Sequence, residues 1–294
     1  MNAPHIKILL VLAAPLAGVG LQTQAGDTNS YATAVLRLKS GREIECQVIS
    51  REGTAVRIQR PFGHGFAKES YQVGQIAGLY FPRPAILDSG TQDIAALEAE
   101  YARWQPFADI KGNWAAAVGV RLAHVLEGTG LYARAMELYD AHADAASLPG
   151  IVRTARVRGA ICAARLGASS NVLARLTNAW TLAAGDCERA ELTYHIGRAE
   201  AACGNPVDGL FALLRNVVFY SAHHEWEPKS LAAALPLYAR LDRDAEYHAT
   251  IDALLRRFPG TAYADYATNC LARLTTVSNL AELADFTMQP HGAN

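Results

Sequence analysis

The residues best suited to chemistry form a small group between Tyr220 and Pro228. They are His223, His224, Glu225 and Glu227. In a loop, these side chains are of types that zinc accepts as ligands. On a helix they make a poor chelate, because adjacent residues point to different faces. We interpret the segment as a polar loop with Trp226 packed at its junction, and we predict no metal site.

A second pair, Cys187 and His195, has the residue types of a thiol nucleophile and its base. Eight residues separate them, and no further residue completes a catalytic set. The chain lacks the motifs of serine hydrolases, zinc proteases, phosphate-binding loops and dinucleotide-binding folds. No pair of acidic residues stands out as a general acid and base. We therefore predict a protein without catalytic residues or a cofactor. The alternative is an uncharacterised metal-dependent or thiol hydrolase of the cell envelope.

The charge of the chain argues against nucleic acid as a partner. The 294 residues carry a net charge of -1, with 27 basic and 28 acidic side chains. Binding to a phosphate backbone usually leaves a basic stripe or patch in the sequence. The densest basic group is only Arg153, Arg156 and Arg158, which we interpret as a solvated helix face.

The N-terminus has the features of a secretory signal peptide. Lys7 precedes an apolar run over residues 8–21, which is too short to span a bilayer and is interrupted by Pro15. We expect residues 1–25 to be a signal peptide that is cleaved after Ala25. The mature protein is then exported to the periplasm or cell envelope without stable membrane insertion. An uncleaved anchor, or a cytoplasmic protein with an apolar first segment, is the alternative.

Residues 31–83 have the sequence pattern of strands. Apolar and polar residues alternate at 35–39, 44–49 and 55–59, and turns that contain glycine separate these runs. This period of two predicts antiparallel hairpins. We expect a loop at 62–66, followed by short strands at 71–73 and 76–81.

The strand and turn pattern resembles a small SH3-like or Sm-like β-barrel of five strands. In such a module, the aromatic residues Phe62, Phe66 and Tyr71 either close one end or line a groove at the surface. Two prolines, Pro82 and Pro84, end the module, and residues 88–91 are polar, so we expect residues 84–91 to form a linker. A shared fold of this kind does not fix a function.

From residue 92 to residue 286, apolar residues recur with helical spacing, and Gly, Asn or Pro separates the segments. This pattern predicts short antiparallel helix pairs and a mainly α protein. Cys162 and Cys203 each lie in an alanine-rich apolar pattern, which predicts core packing for both. Residues 287–294 are expected to form a disordered tail.

The helical region also contains an internal repeat. Gly130, Gly167 and Gly204 are separated by thirty-seven residues each time. Two further positions keep the same period and are mostly occupied by small residues. In the first helix of each repeat they are Ala123, Ala160 and Gly197, and in the second helix they are Ala135, Val172 and Gly209. A fourth unit, slightly displaced, contains Tyr247, Ile251 and Leu254.

Residues 126–139 resemble the core of a tetratricopeptide repeat (TPR). In that family a Gly-x-Tyr turn joins two helices and a small residue follows; here these residues are Gly130, Tyr132 and Ala135. The usual period is thirty-four, so the present repeats are longer. Residues 254–267 resemble the junction between repeats in periplasmic TPR proteins. The resemblance implies an exported bacterial protein with a TPR-like α-solenoid of antiparallel helix pairs.

The resemblance also implies a function. Stacked helix pairs leave a concave surface that accepts a peptide or a helix of a partner. We therefore expect a non-enzymatic protein–protein interaction scaffold of the periplasm or cell envelope, with a protein or peptide partner. A structural subunit of an envelope assembly is the same hypothesis with a fixed partner. The partner-binding candidates on the inner helices are Arg121, His124, Arg158, Tyr194, His195 and Arg198.

Overall fold

The computed structural model describes residues 33–144 and 148–274. Within these ranges the protein is mainly helical, and ten α-helices follow an N-terminal five-stranded antiparallel sheet. The predicted mainly α class and the position of the β module are thus confirmed. The expected signal peptide (1–25), residues 275–286 of the predicted helical region and the expected tail (287–294) lie outside the described residues.

The sheet has the alternating pattern that the sequence predicts. Its strands are β1 (Thr33–Leu38), β2 (Glu43–Glu52), β3 (Ala55–Phe62), β4 (Gly65–Gln72) and β5 (Ile76–Tyr80). They lie in the order β4-β3-β2-β1-β5, and every neighbouring pair is antiparallel. Alternate apolar residues, among them Leu36, Val48 and Ile58, are fully buried on one face. A 3-10 turn, Val73–Gln75, connects β4 to β5.

The predicted loop at 62–66 is wrong. β3 continues to Phe62 and β4 begins at Gly65, so the turn has only two residues. Pro61 does not stop the strand, because the pairing of β3 with β2 ends at Gln59. The missing N–H of Pro61 therefore costs no hydrogen bond to β2.

The two phenylalanines of this hairpin do not close one end of the module, whereas Tyr71 packs against its core. Phe62 and Phe66 lie at its tip and are 67% and 69% exposed. Tyr71 is only partly exposed, and its hydroxyl donates to Oε2 of Glu69 at 2.6 Å. Only the two phenylalanines are thus strongly exposed.

The sheet and the first helices share one apolar core. Trp104 and Phe107 are buried against the inner residues of the sheet. The N–H of Leu79 in β5 donates to the carbonyl of Lys111 at 2.7 Å. The segment at 84–91, predicted as a linker, thus joins two parts that are in direct contact.

The helical region consists of short helices that pack in chain order. The helices are α1 (Ile94–Trp104), α2 (Ala115–Gly128), α3 (Tyr132–His142), α4 (Pro149–Leu166), α5 (Ser170–Leu182), α6 (Asp186–Ala202), α7 (Pro206–Phe219), α8 (Trp226–Arg240), α9 (Asp244–Arg257) and α10 (Ala262–Leu274). Each helix packs against the next one along the chain. In addition, α2, α4, α6, α8 and α10 contact one another in succession, and we call them the even helices.

Local sequence signals explain where several helices begin. The side chains of Asp93 and Ser169 accept hydrogen bonds from the first turns of α1 and α5. Pro149 and Pro206 stand in the first turns of α4 and α7, where a missing N–H costs no helical hydrogen bond.

The turns between paired helices follow the predicted repeat with two departures. Gly130 and Gly204 have φ values of 81° and 93°, a conformation that favours glycine. In the fourth unit Asp242, with φ of 51°, has the same conformation one residue later than the period predicts. Gly167 is extended instead, and the Ser169 cap begins the next helix there.

The small residues of the repeat lie where helices meet. Ala123 and Ala135 are fully buried. At Gly197 of α6, a Cβ would lie 2.9 Å from the carbonyl oxygen of Gly209 in α7, so only glycine fits without a shift. Core packing is confirmed for Cys162, whereas Cys203 is exposed because it follows the last residue of α6.

Candidate functional site

A buried ion triad joins three of the even helices. Arg158 of α4 donates from Nε to Oε2 of Glu127 in α2 at 3.0 Å, and from Nη1 to Oε2 of Glu191 in α6 at 2.6 Å. The hydroxyl of Tyr139 also donates to Glu127, at 3.0 Å. Both carboxylates are buried, and the side chain of Arg158 is only 21% exposed. Arg158, predicted as a partner-binding residue, is therefore fully engaged inside the protein.

The triad perturbs the groups around it. Burial alone would lower the pKa of Arg158, but its hydrogen bonds to Glu127 and the charge of Glu191 raise that pKa above its ordinary value. Burial, with the charge of Glu127, raises the pKa of the Cys162 thiol to about 12. Cys162 thus stays protonated and is not a nucleophile at neutral pH.

A second group of charged side chains lies further along the same helices, and its arginines have no acidic partner. The guanidinium of Arg165 in α4 lies 5.6 Å from the ring centroid of Tyr132. That of Arg198 in α6 lies 5.7 Å from the ring of Tyr194. Among the described residues, neither arginine forms an ion pair, and both are exposed. Each positive charge rests on an aromatic face and remains available to an anion.

Residues of α8 and α10 complete this group. The ring of Trp226 lies 5.6 Å from that of Tyr194, and Nζ of Lys229 lies 4.1 Å from the Trp226 ring. Burial raises the pKa of Tyr263; the charges of Tyr194 and Glu225 raise it further, and that of Arg165 lowers it. We call Arg165, Tyr194, Arg198, Lys229 and Tyr263 the arginine–tyrosine cluster.

His195 lies beneath this cluster. It is only 2% exposed, and its Nε2 has no hydrogen-bond partner among the described residues. Burial lowers its pKa well below the ordinary value, and four nearby cations lower that pKa further: Arg165, Arg198, Arg158 and Lys229. The imidazole is therefore neutral at pH 7 and packs in the interior.

The burial of His195 predicts a pH dependence of stability. Its folded-state pKa is lower than in the unfolded chain, so the unfolded chain takes up the proton first as the pH falls. Stability is complete above pH of about 6.5 and falls below it, by at most about 1.4 kcal/mol per pH unit from this group. Urea unfolding between pH 7 and pH 5 should show a shallower slope for His195→Leu than for the wild type. Equal slopes would contradict this assignment.

The other predicted partner-binding residues lie apart from the cluster. Arg121 donates from Nη2 to the carbonyl of Thr91 at 2.9 Å, and His124 is exposed on α2. Sequence analysis missed Arg165, although it stands seven residues after Arg158. This spacing corresponds to two helical turns and was the available signal.

The two groups of residues that the sequence offers for chemistry do not form a site in the described part of the chain. They are the histidines and glutamates at 223–227 and the pair Cys187 and His195. Trp226 is buried and begins α8, which confirms its predicted packing at the junction. Glu227 is buried and contacts Arg257. In residues 33–144 and 148–274, no group of three or more His, Cys, Asp or Glu side chains is placed to hold a metal ion. Cys187 and His195 stand about 12 Å apart along α6.

Comparison of the chain with protein-family models, curated proteins and solved structures gives no match. Within the described part of the chain, no helix has the length and apolar character needed to cross a membrane.

Proposed function

We propose that this protein is a non-enzymatic interaction scaffold of the periplasm or cell envelope, which binds an acidic segment of a partner protein. The segment lies on the concave face of a TPR-like solenoid, along the even helices. The observation that carries the proposal is the pair Arg165 and Arg198, exposed and without an acidic partner among the described residues.

The packing of the helices supports the solenoid. Every helix contacts the next, and the even helices contact one another in succession. In a repeat protein, one helix of each pair forms a continuous inner row in this way. The small residues between paired helices and the turns at Gly130 and Gly204 agree with the repeat unit.

The chemistry of the cluster supports an acidic protein segment. A guanidinium binds a carboxylate through two parallel hydrogen bonds, and the tyrosine hydroxyls add further donors. Lys229 already donates to Glu225 at 2.6 Å, so the two arginines supply the free charge. Two cations suit a few carboxylates better than a phosphate backbone, which needs a longer basic stripe.

The N-terminal module determines how the place of binding can be tested. We propose that it is an SH3-like barrel, on the basis of its strand order and the 3-10 turn before β5. Since Trp104 and Phe107 complete its core, removal of the sheet would expose them and disturb the helices. Point variants of the cluster are therefore the sharper test of where a partner binds.

The test measures the binding of short fluorescent peptides by anisotropy. A peptide rich in Asp and Glu should bind, and its counterpart with Asn and Gln should bind more weakly. Arg165→Gln/Arg198→Gln should lower the affinity for the acidic peptide at least about tenfold, because each charged hydrogen bond contributes about 1.5–3 kcal/mol. Added salt should reduce the difference.

Arg240→Gln, at the opposite end of α8 from Lys229, is the control for the loss of a positive charge, because it removes one exposed charge, as each of the single variants Arg165→Gln and Arg198→Gln does. It should leave the affinity within about twofold of the wild type. Equal binding of both peptides, or equal losses in the cluster and control variants, would contradict the proposal.

A further inference from the structure

The outward face of α7 is the most apolar exposed helix surface in the described part of the chain. It holds four of the eleven large hydrophobic side chains that are exposed among the described residues. They are Val207, Phe211, Val218 and Phe219, with exposures of 49%, 62%, 67% and 73%. A patch of this kind on a soluble protein marks a surface that another molecule covers.

Two unpaired charges of opposite sign flank the centre of this face. Asp208 lies three residues before Phe211 and Arg215 lies four residues after it, so all three share one side of α7. Asp208 and Arg215 are exposed, and neither forms an ion pair among the described residues. Asp208 and Arg215 lie at nearly equal distances from Phe211, so the charges on α7 itself balance. Glu200 of α6, which also lines the groove, accepts a hydrogen bond from Nδ2 of Asn205 at 2.8 Å.

A groove beside Phe211 completes the surface. It has a volume of about 460 Å³ and lies between α6 and α7, where Phe211 itself lines it together with Ile196, Ala212 and Leu214. The charged side chains of Glu200, Asp208 and Arg215 also line the groove. Its size and its apolar residues suit an aromatic side chain. The face therefore offers both a projecting phenylalanine and a cavity that can receive one.

We propose that this face binds a second copy of the same chain, through antiparallel packing of α7 on the partner's α7. A two-fold axis near Phe211 reverses the helix direction, so that Asp208 meets the partner's Arg215 and Arg215 meets the partner's Asp208. Both ion pairs then form at once, and each Phe211 points toward the groove of the other copy. Such an interface uses one patch on both subunits, as two-fold dimers do.

The charges favour a second copy over a different protein. A basic or an acidic partner would satisfy one of the two charges and repel the other. A reversed copy of α7 satisfies both, because the order acid–Phe–base along the helix complements itself. The fourteen residues of α7 span about 21 Å. This contact is short, so the dimer should be weak, with a dissociation constant in the micromolar range.

This dimer goes beyond the proposed scaffold function and is independent of it. The arginine–tyrosine cluster lies on α4, α6, α8 and α10, whereas the contact uses the outward face of α7 and the groove that α7 forms with Ile196 and Glu200 of α6, none of which belongs to the cluster. Failure of peptide binding would therefore leave the dimer intact, and the reverse also holds.

The test is a charge exchange, followed by sedimentation equilibrium over a range of protein concentrations. Asp208→Arg places like charges in both symmetric ion pairs, and so does Arg215→Asp. Each should raise the dissociation constant at least about tenfold. The double variant Asp208→Arg/Arg215→Asp restores both pairs and should return the constant to within about threefold of the wild type.

Phe211→Ala should weaken the dimer, while Phe62→Ala, at a comparably exposed phenylalanine of the β3–β4 hairpin, should not. Far-UV circular dichroism confirms that each variant keeps its fold. A protein that is monomeric at all concentrations would overturn the proposal. So would a dimer that is unaffected by the single reversals, or one that the double exchange does not restore.

Discussion

Replacement of Arg158 by Met should lower the free energy of unfolding by about 3–5 kcal/mol. The substitution keeps an unbranched side chain but leaves Glu127 and Glu191 as two buried carboxylates without a cation. Their mutual repulsion and their lost hydration both act against the folded state. Urea unfolding at pH 7, followed by tryptophan fluorescence, measures the change.

Arg156, two residues earlier in α4, is the matched control. It pairs with Asp144, whose side chain is 92% exposed, so water replaces the lost contact. Arg156→Met should cost less than about 0.5 kcal/mol. Similar losses for the two variants would show that the triad has no special role in stability.

A triple variant separates the lost charge balance from lost packing. In Glu127→Gln/Arg158→Met/Glu191→Gln the buried charges are removed together, and the amide introduced at position 127 still offers an oxygen to Tyr139. Most of the stability lost in Arg158→Met should return, because the main cost is the uncompensated charge. If the triple variant is as unstable as the single one, the cost comes from packing instead.

The architecture could be predicted from the sequence because its signals are local. Period-two alternation marks β1 to β3, and the glycines at 130 and 204 mark turns between helices. The hairpin at Phe62 was missed for the opposite reason. A strand can contain a proline where its pairing with one neighbouring strand has already ended, as the pairing of β3 with β2 has at Pro61. The local sequence does not show where such pairing ends.

The candidate site could be predicted only in part. Tyr194 and Arg198 were found because they stand on a helix that the repeat assigns to the inner row. Arg158 has two partners that are 31 and 33 residues distant in the sequence, so only the packing of α2, α4 and α6 brings the charges together. Its neighbours in sequence, Arg153 and Arg156, made it resemble part of a solvated face.

The close contact between α6 and α7 leaves no space for a side chain at Gly209. A Cβ at Gly209 would lie 2.8 Å from the carbonyl oxygen of Gly197 and 3.0 Å from the backbone nitrogen of Ala201. Backbone atoms cannot turn away as a flexible side chain does, so the two helices must separate. Gly209→Ala should therefore lower the free energy of unfolding by about 1–3 kcal/mol. This loss is expected even though the helix propensity of alanine is about 1 kcal/mol more favourable than that of glycine.

Gly128→Ala, at the end of α2, isolates the helix propensity, because no atom lies within 4 Å of the added Cβ. This control should be unchanged or up to about 1 kcal/mol more stable in the same urea experiment. If Gly209→Ala lowers the free energy of unfolding and Gly128→Ala raises it, the α6–α7 contact, and not backbone freedom, selects glycine at 209. A stabilised Gly209→Ala would instead show that the helices can move apart at little cost, and that the repeat does not require glycine here.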